Sequence, residues 1–218
     1  MEQKDFFSEI LARAKNGEYT DDEYNEIEKK REQQELERFQ ANADIPKMYL
    51  KASIHSELYT EEERTLLKQY VEDVKNGGNT VLILLGDVGR GKTYTCFALM
   101  NELQFGTYIN MAQLEEKLET AGRYDVHENK EMLLSKYKKC RLFILDEAGR
   151  FNDPKTVLQE RKTIFKVFDD RYSNDRPYVI SSNLNPKEFA EYLGTALTDR
   201  LRGRNIKIIF TGESKRGM

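Results

Sequence analysis

The chain has 218 residues, of which 39% are apolar and 33% charged, with a formal net charge of −3. That length and apolar content allow one large domain, or one domain with an extension. No apolar run approaches the ~20 residues that span a bilayer, and the opening MEQKDFFSEI lacks the basic and apolar regions of a secretory signal. Cys96 and Cys140 are too scattered for a disulfide framework or a zinc site, and His55 and His127 are too few for a histidine metal centre. The expectation is a soluble, cytoplasmic chain with both cysteines as small buried hydrophobes and both histidines at the surface. Charge is unevenly spread: residues 1–75 hold 12 basic and 19 acidic side chains, whereas residues 76–218 hold 23 and 19. An acidic front and a mildly basic back predict parts with different partners.

Phe6, Phe7, Ile10, Leu11 and Ala14 recur at helical spacing and predict a helix over 5–15, closed by Asn16-Gly17. Thr20 and Glu23 form a capping-box pair that opens a second helix. Its apolar stripe is thin (Ile27, Leu36, Phe39), so it is solvated or leans on a partner. Pro46 breaks that pattern, and 41–56 reads as a linker and docking segment. Thr60 and Glu63 cap a third helix carrying Leu66, Leu67, Tyr70, Val71 and Val74, which stops at Asn76-Gly77-Gly78. Beyond residue 80, apolar runs at Val81–Leu85, Leu142–Leu145 and Tyr178–Ser181 predict strands buried on both faces. Shorter strands are expected at Thr107–Asn110 and Ile206–Phe210. Helices are expected over 93–103, 111–120, 129–138, 155–172, 186–193 and 195–202, with a polar loop at 121–128. Strands alternating with helices give an α/β fold with a parallel sheet covered on both faces.

Gly86-Asp87-Val88-Gly89-Arg90-Gly91-Lys92-Thr93 matches GxxxxGK[ST] between a buried strand and a helix, the context that gives this motif its meaning. Glycines let the backbone approach phosphates, and amides at the helix start face the anion. The expected nucleotide-binding set is Gly86, Asp87, Val88, Gly89, Arg90, Gly91, Lys92, Thr93 and Tyr94, with Lys92 on the β/γ-phosphates and Thr93 on Mg²⁺. The run Leu142–Leu145 ends in Asp146-Glu147. Two carboxylates at the carboxyl edge of a sheet suit a second metal-facing group, Asp146, and a residue that polarises the attacking water, Glu147. Asn183, after the strand ending Ser181-Ser182, is a candidate γ-phosphate sensor. In Thr198-Asp199-Arg200-Leu201-Arg202, Arg200 is the candidate arginine finger for a neighbouring subunit's nucleotide, with Arg202 as its competitor.

Taken with IPKMYLKASI before the core, GDVGRGKT, LFILDEAGRF, ISSNLNPKEF and LGTALTDRLRG resemble the DnaC/DnaI family of replicative-helicase loaders over roughly residues 42–212. That family is of the AAA+ ATPases and is related to DnaA and IstB. The resemblance implies a P-loop NTPase fold with a five-stranded parallel sheet and no C-terminal lid, Walker A at Gly86–Thr93, Walker B at Asp146 and Glu147, sensor 1 at Asn183 and the finger at Arg200. It further implies Mg²⁺-dependent ATP hydrolysis, side-by-side self-assembly, single-stranded DNA binding and a grip on a DnaB-type helicase. Val88 and Arg90 stand where that family has Pro and Thr, and the zinc-binding cysteines of the DnaI branch are missing.

The expected organisation is a helical partner-binding arm over 1–41, a linker and lead-in helix over 42–78, and an ATPase domain over 79–218. Phe6, Phe7, Ile10 and Leu11 are the expected helicase-facing residues, and Lys117, Arg123, Tyr124 and Lys130 the expected DNA contacts, with Tyr124 stacking on a base. Two alternatives stay open: an IstB-like ATPase assisting a transposase, and an ATP-switched DNA-binding adaptor with little turnover.

Overall fold

A computed structural model of the chain describes Arg13 and residues 20–121, 129–151 and 153–212. The chain divides into two compact units, residues 1–45 and 46–218. The expected helix over 5–15, with Phe6, Phe7, Ile10 and Leu11, lies outside the described residues, as do Arg123, Tyr124 and His127.

In the first unit, α1 spans Asp21–Asn42. Thr20 Oγ1 accepts the Glu23 amide, and the Glu23 carboxylate accepts the Thr20 amide at 2.9 Å, so the expected capping box closes in both directions. Few apolar residues support this helix. Pairs one turn apart do so instead, Glu26–Lys30 at 2.7 Å and Arg31–Glu35 at 3.7 Å.

The second unit begins with a single 3₁₀ turn, Lys47–Tyr49. It is followed by α2 (Glu61–Lys75), β1 (Val81–Gly86), α3 (Lys92–Leu103), β2 (Thr107–Asn110), α4 (Met111–Thr120) and α5 (Lys130–Lys139). Then come β3 (Phe143–Ala148), α6 (Pro154–Ser173), β4 (Tyr178–Ser182), α7 (Pro186–Leu193), α8 (Thr195–Leu201) and β5 (Asn205–Phe210). The five strands form one parallel sheet in the order β2-β3-β4-β1-β5. β1 and β4 are buried along nearly their whole length, as continuous apolar runs require. The edge strand β5 instead alternates, with Ile208 and Phe210 inward and Lys207 and Ile209 outward. α2 lays Leu67, Tyr70, Val71 and Val74 into the core. A run of rings, Tyr137–Phe143–Phe168–Tyr178, with centroids 5.1, 6.0 and 4.2 Å apart, fills the space between α5, α6 and the sheet.

Among the described residues, helix and strand ends fall within a residue or two of expectation except at β3, which runs on through Asp146, Glu147 and Ala148 rather than stopping at Leu145. Pairing with β4 shifts register between Leu145 and Ala148, and Glu147 adopts φ 56° there. Cys96 is buried as expected. Cys140 departs from expectation: it is only partly buried, because its thiol sits at the end of α5 against the carbonyls of Tyr137 and Leu142. His55 has an exposed side chain. Among the described residues, no helix is long and apolar enough to cross a membrane.

Candidate nucleotide site

The site grows from the carboxyl ends of β1, β3 and β4, where a parallel sheet opens to ligands. β1 leaves the sheet through Gly86 at φ 139°, where an added Cβ would stand 2.4 Å from the Phe210 carbonyl of β5, so the turn needs glycine. Gly91 caps α3 in a left-handed conformation and offers no side chain to its first amides. Those amides are oriented for an anion. Lys92 donates to the carbonyls of Gly86 at 2.6 Å and Asp87 at 2.8 Å, which draws the loop around its ammonium group. Burial lowers the Lys92 pKa, and the Asp146 and Asp87 carboxylates oppose that shift. Val88 is 57% exposed, and Arg90 faces Asp87 at 3.6 Å. The Tyr94 hydroxyl accepts the Ser53 amide at 3.2 Å, and Tyr59 meets Thr95 at 3.0 Å, so the first turn of α3 is tied to the segment that precedes α2.

Thr93 and Asp146, 53 positions apart, come into direct contact: the Thr93 hydroxyl donates to Asp146 Oδ2 at 2.7 Å. The same oxygen accepts the Tyr108 hydroxyl at 2.8 Å, and Asp146 Oδ1 accepts the Ser181 hydroxyl and the Glu147 amide. All four donors are neutral, and Asp146 is 1% exposed. A buried carboxylate beside a threonine hydroxyl is a hard-oxygen donor pair of the kind Mg²⁺ takes.

Glu147 follows on the bulge, its amide shared between Asp146 Oδ1 and Ser181 Oγ, each at 3.0 Å. The bulge re-aims this residue relative to a regular strand. Its carboxylate lies 3.3 Å from Arg150. Asn183 stands one residue beyond β4, and the strand order places β4 between β1 and β3. The topology therefore brings Asn183 to the edge shared by the phosphate loop and the two carboxylates.

Arg200 is placed differently. It lies on α8, ion-paired with Asp169 of α6 at 2.6 Å and donating to the Ala196 carbonyl, with its guanidinium 5.1 Å from the Phe165 ring. Arg202 has a largely exposed side chain, 3.6 Å from Asp199. Of the expected DNA contacts, Lys117 and Lys130 are exposed on α4 and α5. The sequence motifs missed Tyr108, Ser181 and Arg150. Only Ser181 left a signal in the sequence, as one of two small polar residues, Ser181-Ser182, closing an otherwise apolar strand.

The family of IstB-like ATP binding proteins matches residues 22–217. The chain belongs to that family. This IstB-like chain also shares its fold with DnaI (21% identity, TM-score 0.62, covering 79% of this chain and 94% of that one). The DnaC helicase loader superposes at 18% identity and TM-score 0.62, covering 76% of this chain and 100% of that one. The replication initiator DnaA bound to AMPPCP and single-stranded DNA gives 17% identity and TM-score 0.61, covering 75% of this chain and 50% of that one. The IstB-like chain thus spans about half the length of the DnaA chain and nearly all of DnaI and DnaC. Comparison with curated proteins gave no match. The chain is therefore an ATP-binding protein on the AAA+ ATPase fold, with the five-stranded parallel sheet that the resemblance to the DnaC/DnaI family implied.

Proposed function

We propose that this chain is a cytoplasmic, ATP-dependent helicase loader that binds a DnaB-type replicative helicase and single-stranded DNA during initiation of replication. The observation that carries the ATPase part of this reading is the buried contact between Thr93 and Asp146 with Glu147 adjacent, an arrangement suited to hydrolysis as well as binding. In this reading the amides of Gly86–Thr93 and the start of α3 hold the phosphates. Lys92 exchanges the Gly86 and Asp87 carbonyls for phosphate oxygens. Thr93 and Asp146 hold Mg²⁺, which neutralises charge on the phosphates. Glu147 polarises the attacking water, and Asn183 orients that water against the γ-phosphate. Arg200, released from Asp169, reaches the nucleotide of a neighbouring subunit, with Arg202 as the alternative finger.

Residues 1–41 form the helicase-binding arm through Phe6, Phe7, Ile10 and Leu11, and residues 42–78 link it to the ATPase domain over 79–218. Lys117, Arg123, Tyr124 and Lys130 contact DNA. Support for the loader role comes from the near-complete span of DnaI and DnaC. A second reading, an ATPase assisting a transposase, is favoured by the family match itself. The test uses closed circular single-stranded DNA, the intact chain and a DnaB-type helicase. The loader reading expects ATP-dependent retention of helicase on the circle, and loss of retention when residues 1–41 are removed. Retention that is the same without the chain would overturn it.

A further inference from the structure

Both carboxylate oxygens of Asp146 are engaged. Oδ1 takes Ser181 and the Glu147 amide, whereas Oδ2 takes Thr93 and Tyr108. Thr93 is a phosphate-loop residue, so Oδ2 is the oxygen on the nucleotide side. Tyr108 is the group that shares it, and no sequence motif includes Tyr108. We propose that Tyr108 is a positioning residue for the metal: its hydroxyl fixes the orientation of Asp146 Oδ2 and thereby sets the affinity of the site for Mg²⁺. The proposal rests on the assignment of Asp146 as the metal-facing carboxylate.

The placement of Tyr108 is set by packing. Its ring lies 4.5 Å from that of Phe97 on α3, and Phe97 in turn stacks on Tyr49 at 4.6 Å with an interplanar angle of 16°. Both sides of this stack are anchored. Tyr108 sits in β2, with Asn110 in register with Asp146. The Asn101 side chain, on the same helix as Phe97, donates to the carbonyls of Tyr49 at 3.0 Å and Ala52 at 2.8 Å. A hydroxyl held this way is a fixed donor, where a serine at the same place would rotate. Without it, Oδ2 keeps one donor and the carboxylate is held mainly through Oδ1, so the direction of Oδ2 is less fixed. Groups that orient a metal-binding carboxylate typically govern affinity by about 10- to 100-fold.

The experiment is the Mg²⁺ dependence of binding of a fluorescent ATP analogue to the full chain, read for wild type, Tyr108→Phe and Asp146→Asn. The phenylalanine keeps the ring and its stack, and a thermal melt checks that it does. The expected result for Tyr108→Phe is a rise of roughly tenfold in the Mg²⁺ concentration for half-maximal binding. Analogue affinity in EDTA should stay unchanged, and the melt should remain cooperative, lowered by no more than the loss of one buried hydrogen bond. If Tyr108→Phe leaves the Mg²⁺ curve in place while Asp146→Asn shifts it, the proposal is overturned and the assignment of Asp146 survives. If neither variant shifts the curve, both fail. An equal loss of affinity with and without Mg²⁺ also overturns the proposal, because Tyr108 would then act through packing alone.

Discussion

In the proposed mechanism, Glu147 is the residue on which turnover hangs. Its left-handed φ of 56° is costly for a side chain with a Cβ, and Asp146 and Ser181 hold that conformation by sharing its amide. Removing its charge should cost hydrolysis about 10²- to 10⁴-fold. Glu147→Gln is therefore expected to bind ATP as wild type does and to hydrolyse almost none, read by phosphate release beside a binding titration; unchanged turnover would refute its role. The Arg150 partner of Glu147 is a surface cation, so Arg150→Ala should change stability by less than about 1 kcal/mol, measured by urea denaturation.

Glu160 offers a pH test. It is buried on α6, accepts the Tyr192 hydroxyl at 2.6 Å, and burial raises its pKa against the lowering effect of that bond. A carboxyl raised in the folded state favours folding below its unfolded pKa, and that advantage is lost as pH rises through the folded pKa. Glu160→Gln keeps an acceptor for Tyr192 without the charge. Its melting temperature should therefore gain on wild type as pH climbs from 5 to 8, and a constant gap would count against this reading.

The phosphate loop and the Asp146-Glu147 strand end stand out in the sequence as local patterns, and the structure brings Thr93 and Asp146 into contact. Tyr108 does not stand out. Its contact depends on the register of β2 against β3, which no local pattern encodes.

At the scale of elements, periodicity and caps were enough to place the helices among the described residues. Thr20–Glu23 and Thr60–Glu63 cap in both directions as the spacing predicts. The end of β3 was misjudged because hydrophobicity stops at Leu145, whereas backbone pairing resumes at Ala148 beyond the bulge. Nor did the sequence reveal what closes α5. The answer lies on α6: Arg171, fully buried, donates through Nη1 to the carbonyls of Tyr137 at 2.8 Å and Cys140 at 2.9 Å, and through Nη2 to that of Pro177. It thereby satisfies carbonyls that the helix end would leave unpaired, and joins α5 to the entry of β4. Burial lowers the pKa of its guanidinium. Arg171→Met preserves most of the volume and removes the donors, leaving several buried carbonyls unmet at about 1–3 kcal/mol each. The expected loss of stability is about 3 kcal/mol or more by chemical denaturation, and a loss below about 1 kcal/mol would contradict the clasp.

At the scale of the whole molecule, the charge split has a physical counterpart. The acidic front contributes a polar helix with ion pairs along its own surface, Asp21–Asn42, and also α2, which packs into the second unit, whereas the basic residues 76–218 carry the sheet and the nucleotide site. If the chain binds DNA as proposed, a modest positive charge on residues 76–218 predicts weak binding that depends on salt and on assembly. Replacing Lys117 or Lys130 with alanine should each lower the slope of log affinity against log salt by about one, if each neutralises one phosphate. The fold could be read from strand–helix alternation and from the context of Gly86–Thr93. The partner could not, because the IstB-like family match and the likeness to DnaI and DnaC rest on the same ATPase core.

The partner is therefore what a single measurement should decide: the mass, by light scattering, of the intact chain mixed with a DnaB-type helicase in the presence of ATP. The loader account predicts a complex heavier than the helicase alone, which disappears when residues 1–41 are deleted. A mixture that runs as separate helicase and chain, from a preparation that instead stimulates a transposase, would contradict it.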